Sequence, residues 1–203
     1  MIDPNQHDRF VLRQRIKLAI NHYVFSVPDG QGDGTPFCFV EQKRFKFKED
    51  IRFFTDETKS QELMKILARQ RFDPRAKYDI TDAAGGKIGM IQKVFGKSLL
   101  RSTYTLFDAS GAEVATVREK NLVTAIVRRA VGLIPYIGDF ANWLPIPYDF
   151  EFTSGGTVLG IHSRRLWKIH DIYDMDFTPD TEHRLDRRLV LATAVGLDAL
   201  QAR

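Results

Sequence analysis

Residues 185–201 read LDRRLVLATAVGLDALQ. Between Leu189 and Leu200 only Thr193 and Asp198 are clearly polar, and they stand five positions apart. On a helix of about 3.6 residues per turn, apolar side chains then occupy most of the circumference. Such a helix must be buried on all sides. Taken from Leu185 to Ala202 it is about 27 Å long. A closed sheet is its natural container, because each strand turns one face inward and those faces together wrap the helix. Just upstream, Thr178 and Pro179 suit an N-cap and a first helical position, and Asp180 and Glu182 suit a first turn.

The strands for such a sheet are visible as a repeat. YDITDAAGGKIGMIQK from Tyr78, YTLFDASGAEVATVRE from Tyr104 and YDFEFTSGGTVLGIHS from Tyr148 align without gaps. Each has an apolar residue two places after the Tyr (Ile80, Leu106, Phe150) and a Gly seven places after it (Gly85, Gly111, Gly155). Side chains on a strand alternate faces, and Gly supplies the positive φ of a tight turn, so each unit predicts a β-hairpin. Asp82 and Asp108 are placed to hydrogen-bond the turn backbone.

Further alternating stretches flank the repeat: VLRQRIKLA, HYVFSV, FCFVEQKRFKFK, IRFFTD, ELMKILARQ and RRLWKIHDIYDMDF. With the hairpins they make ten to twelve strands, a number that favours a barrel or sandwich. PDGQGDGTP at 28–36 reads as a loop. A second, amphipathic helix is predicted over about 122–134, with Val123, Ile126, Val127, Ala130, Val131 and Ile134 on one stripe and Arg128 and Arg129 off it.

The composition agrees with a single domain over residues 1–203. The 203 residues are 43% hydrophobic and 28% charged, with 15 Phe and a net charge of +4 from 30 basic and 26 acidic side chains. One cysteine, Cys38, excludes a disulfide framework and a Cys-type zinc site. The opening MIDPNQHDRF has no apolar core of a signal peptide, and no run of about 18 apolar residues is present. The expectation is a cytoplasmic protein, at most peripheral to a membrane.

IKLAINHYVF at 16–25, YDITDAAGGKIG at 78–89, SLLRSTYTLFDASG at 98–111, HDIYDMDF at 170–177 and LDRRLVLATAVGLDAL at 185–200 resemble the LURP-one-related family. This is a branch of the tubby C-terminal-like and phospholipid-scramblase-like superfamily. The resemblance implies a mainly β fold, a closed antiparallel barrel of twelve strands with the C-terminal helix threaded through its centre. In that superfamily, tubby proteins bind phosphoinositides, scramblases act at membranes, and plant relatives are tied to defence. This chain has no tubby-type basic phosphoinositide motif that matches residue by residue, no EF-hand loop and no cysteine-rich palmitoylation stretch. The resemblance therefore carries the fold and no functional residue.

No catalytic pattern stands out. His7, His22, His162, His170 and His183 form no metal-ligand pair of the usual spacing. Cys38, in FCFVEQ, reads as a buried inert thiol. GQGDG at 30–34 lacks the Lys-Ser/Thr of a phosphate loop. No cofactor is implied.

The functional hints are basic and interfacial. Lys93, Lys97 and Arg101 form one group near a Gly turn; other basic groups lie at 43–48, at 164–168 and at Arg184, Arg187 and Arg188, most of them expected on a solvated face. The segment LVTAIVRRAVGLIPYIGDFANWLPIP at 122–147 joins Arg128 and Arg129 to Tyr136, Phe140 and Trp143, the character of an interfacial anchor. The reading is a non-catalytic binding or adaptor domain for an anionic phospholipid surface or a protein partner. The alternatives are an enzyme with a surface site assembled from distant residues and, with nothing resembling a recognition helix, nucleic-acid binding.

Overall fold

The computed structural model describes residues 2–16, 20–30, 32–43, 50–69, 77–94, 102–121, 149–166 and 171–199. A 3-10 turn, Pro4–Gln6, precedes twelve strands: β1 Arg9–Ile16, β2 Ile20–Val27, β3 Thr35–Lys43, β4 Asp50–Phe54, β5 Glu62–Ala68, β6 Lys77–Asp82, β7 Lys87–Lys93, β8 Thr103–Asp108, β9 Glu113–Glu119, β10 Asp149–Ser154, β11 Thr157–Arg164 and β12 Ile172–Asp176. One helix follows, α1, Arg187–Ala199. Each strand pairs antiparallel with the next, and β1 closes the ring on β12 from Arg9 opposite Asp176 to Arg13 opposite Ile172. The predicted helix over 122–134 lies outside the described residues.

The three repeats are the hairpins β6–β7, β8–β9 and β10–β11. In the first two, Gly85 (φ +88°) and Gly111 (φ +89°) take the left-handed position, while Asp82 Oδ1 accepts from Gly86 N–H at 2.7 Å and Asp108 Oδ1 from Ala112 N–H at 3.0 Å. The third departs from them. Phe152 replaces the turn Asp, and Gly155 and Gly156, both at positive φ, form a two-residue turn between paired Ser154 and Thr157. The alternating stretch from Arg164 to Phe177 is not one strand: β11 ends at Arg164 and β12 begins at Ile172.

The inward faces meet on the helix. Leu189, Val190, Leu191, Ala192, Ala194, Val195 and Leu197 are each no more than 1% exposed, packed among Phe10, Phe25, Phe53, Phe150, Phe152 and their neighbours. The start of this helix corrects the sequence expectation. Residues 178–186 are turns, and Thr178 is engaged by Asp176 rather than capping. The cap is Asp186, whose carboxylate accepts from Arg188 N–H at 2.9 Å and whose carbonyl accepts the first helical bond, from Val190, at 3.1 Å.

Close packing sets one strict requirement. A Cβ at Gly160 would stand 2.2 Å from the Phe177 ring, which itself meets the Phe152 ring edge-on at 4.9 Å. Gly160→Ala is expected to cost about 2–3 kcal/mol through overpacking, read as a lower denaturant midpoint with an unchanged slope.

Two loops fold back along the outer wall. Asp33 of the β2–β3 loop pairs with Arg13 and with Arg165, the latter at 3.0 Å; Arg165 also makes a two-point contact with Asp174 at 2.7 Å. This ties β1, β12 and the loop together at the closing seam. Within the β4–β5 loop, Glu57 reaches Arg15 at 3.0 Å and Lys59 reaches Glu41.

Candidate functional site

The two ends of the barrel differ chemically. At the near rim, where α1 begins, Arg187 is fully buried. Its guanidinium donates to Asp180 Oδ2 and to Asp8 Oδ1, both at 2.7 Å, and to the His7 carbonyl at 3.3 Å, and lies 5.4 Å from the centre of the Phe177 ring. The Arg187 backbone N–H donates to Asn5 Oδ1 at 2.8 Å. Asp180 also accepts from the N–H groups of Arg184 and Leu185 at 3.0 and 3.1 Å. Burial would raise the Asp180 pKa, but the hydrogen bonds, that from Arg187 foremost, outweigh it and hold the carboxyl below its ordinary range. Asp180 is therefore no first-turn acid, and Arg187 is no solvated base. Together they clamp the N-terminal segment, the β12–α1 connection and the helix start.

At the far rim the inward-facing residues turn polar. Gln14, Asn21, Gln42, Glu119 and His162 are all buried. Gln42 Oε1 accepts from Asn21 Nδ2 and Tyr23 OH, both at 3.0 Å. His162 lies 4.8 Å from Tyr173 with the rings 14° from parallel, and desolvation takes its pKa down to about 3 despite the pull of Asp174. The ring is neutral in the fold, whereas a His in an unfolded chain takes up a proton below about pH 6.5. Stability from this residue is thus complete above that pH and drains away as pH falls toward 3, by about 1.4 kcal/mol per unit. His162→Gln is expected to flatten the pH dependence of the urea midpoint between pH 6 and 4 by one proton's worth.

The topology also locates the sequence-identified residues. Lys93 ends β7, half-buried, in register with inward-facing Tyr104. Lys97 and Arg101 belong to the β7–β8 connection, and Arg128, Arg129, Tyr136 and Trp143 to the β9–β10 connection; these six lie outside the described residues. Odd-numbered strands end at the far rim and even-numbered strands begin there, so both connections are attached to that one rim. Strand direction sets this common attachment, which residue spacing alone does not reveal.

Among the described residues, no three His, Cys, Asp or Glu side chains are grouped to hold a metal ion. Cys38 is 3% exposed, and burial pushes its thiol pKa up, away from the reactive thiolate. His22 packs at a tilt of 59° against Phe39, 5.0 Å between ring centres, beside Glu41, and His183 lies 3.9 Å from Asp8. A shallow hollow of about 510 Å³ on the outer wall, between β9 and the β10–β11 turn, presents Glu113, Thr116, Arg118, Thr153 and Ser154 with no histidine or cysteine beside the hydroxyls.

These features define a plugged up-and-down barrel whose interior is occupied by its own C-terminal helix. The sequence matches the LURP-one-related family over residues 37–198, and the chain belongs to that family. No curated relative matches it. The matched span begins within β3, yet β1 and β2 are what close the sheet: without them β3 and β12 would be open edges. No helix among the described residues is long and apolar enough to cross a membrane.

Proposed function

We propose that this domain is a non-catalytic docking module that engages an anionic phospholipid surface through its far rim. The observation that supports the reading is that strand order attaches the β7–β8 and β9–β10 connections, whose sequences hold Lys97, Arg101, Arg128, Arg129, Tyr136 and Trp143, to the same end of the barrel. Basic side chains near an anionic leaflet contribute about 1 kcal/mol each, and aromatic rings settle at the headgroup level. An interior occupied by the chain's own helix favours a surface role over a ligand chamber. The setting is cytoplasmic and peripheral to the membrane.

Co-sedimentation with vesicles tests this. The intact protein is expected to pellet with phosphatidylserine-containing vesicles at about 25 mM salt, to release as salt rises past about 200 mM, and to ignore neutral vesicles, because screening shortens the reach of each charge. Salt-independent pelleting, or none, would defeat the reading.

A further inference from the structure

The segment ahead of β1 is held to the near rim by polar contacts. None of residues 2–8 is buried, and Ile2 rests on the apolar core only in part. The segment keeps a shape of its own: Asp3 Oδ1 accepts from the Asn5 N–H at 3.0 Å, and the Asp3 and Pro4 carbonyls accept from Gln6 and His7, both at 3.1 Å. Its grip on the rest of the molecule is made of four hydrogen bonds. Asn5 Oδ1 accepts from the Arg187 N–H at 2.8 Å, the His7 carbonyl from Arg187 Nε at 3.3 Å, Asp8 Oδ1 from Arg187 Nη2 at 2.7 Å, and the Asp8 carbonyl from the Phe177 N–H at 2.7 Å. The last of these continues the β1–β12 ladder one step past Arg9 and Asp176, so the segment hinges where that ladder ends.

Arg187 has a second set of partners. Its Nη1 donates to Asp180 Oδ2 at 2.7 Å and to the Leu185 carbonyl at 3.3 Å. The Asp180 side chain is sealed from solvent, whereas that of Asp8 is 37% exposed. A buried charge stripped of its partner is strongly destabilising, but lifting the segment does not strip this one. Arg187 retains Asp180, while its Nε, Nη2 and backbone N–H turn to water. Hydrogen bonds exchanged for water contribute little net free energy. The core cluster is assembled without residues 3–8, so their departure breaks no contact within it.

We propose that residues 2–8 are a latch on the plug helix, lifting from the near rim as a unit and uncapping the first turn of α1 while the twelve-stranded ring stays closed. Openings of this kind lie below global unfolding in free energy. The divided partnership of Arg187 separates the two events: Asn5 and Asp8 leave with the latch, and Asp180 is released only when the domain unfolds. The start of the plug helix thereby answers to whatever engages the segment ahead of β1. The latch acts with or without a lipid surface.

Native-state hydrogen exchange by NMR on the full chain, in urea well below the unfolding midpoint, tests this. The Phe177 and Arg187 amides, whose acceptors both lie on the latch, are expected to exchange at least tenfold faster than the protected amides of β8 and β10. Their rates are expected to be almost independent of urea, because little surface is exposed when the latch lifts. Ile80, fully buried in the ring, supplies the control. Ile80→Val weakens the ring in the latched and lifted states alike, so it is expected to speed the β8 and β10 amides at least threefold and to leave Phe177 and Arg187 within twofold of wild type. Asn5→Ala combined with Asp8→Ala weakens the latched state alone and leaves the Asp8 carbonyl in place; it is expected to speed the Phe177 amide at least tenfold. Latch amides that share the urea slope of the ring, or that move with it in Ile80→Val, would make the segment part of one cooperative unit and overturn the proposal. An unchanged Phe177 rate in the double variant would overturn it as well, because Asn5 and Asp8 would then not hold the latch.

Discussion

Leu197→Asp is expected to abolish the cooperative melting transition. Leu197 is 1% exposed, on a helix whose side chains from Leu189 to Leu197 are buried among the inward rows of the barrel. A carboxylate there would enter the apolar core that Leu197 now fills. Taking an unpaired charge out of water costs several kcal/mol even after relaxation, and the leucine contacts, worth about 2–5 kcal/mol, are lost as well. A domain of this size holds about 5–15 kcal/mol in total. Because the helix is the filling for all twelve strands, the damage is not confined to one element. Circular dichroism against temperature and the amide dispersion of the NMR spectrum read the result, with Leu197→Met as the volume-conserving control. A near-normal transition in the Asp variant would mean that the helix does not fill the barrel.

Arg187→Leu is the second large effect. The substitution strips Asp180 of its cation inside a sealed site, and leaves Asp8 and the His7 carbonyl without their donor. Breaking a buried pair from one side typically costs about 3–5 kcal/mol, which for a chain of this length is a fall of about 10–15 °C in melting temperature. Arg187→Leu combined with Asp180→Asn is expected to recover part of the loss, since the uncompensated charge goes while the amide oxygen still accepts from Arg184 and Leu185. The thermodynamic cycle over the two positions then gives their coupling directly. Acid acts on the same contact: Asp180 has a lowered pKa in the fold, so its contribution is complete above about pH 4 and is lost as pH falls further. That window lies below the one in which His162 acts, and the two are separable by titrating His162→Gln.

The comparison of the two clusters explains what was readable in advance. Leu189 to Leu197 announced their burial because apolarity around a full helical circumference has one physical solution. The hairpins announced themselves because Gly85 and Gly111 are needed at a left-handed turn position, whatever surrounds them. Arg187 and Asp180 gave no such signal: local rules place an acid near a helix start and a base on a solvated face, and those rules were overridden when β12, the N-terminal segment and the helix start converged. Thr178 misled for a related reason, as its hydroxyl found Asp176 before it could cap anything.

The linear chain thus determined by itself the all-round apolar helix and the strand-rich repeat that must enclose it, since each depends on periodicity and turn chemistry acting over a few residues. Only the tertiary structure decided that β1 and β2 complete the ring and that Arg187 is a buried clamp. Those facts depend on strand direction and on meetings between residues up to about 180 positions apart, which no local pattern encodes.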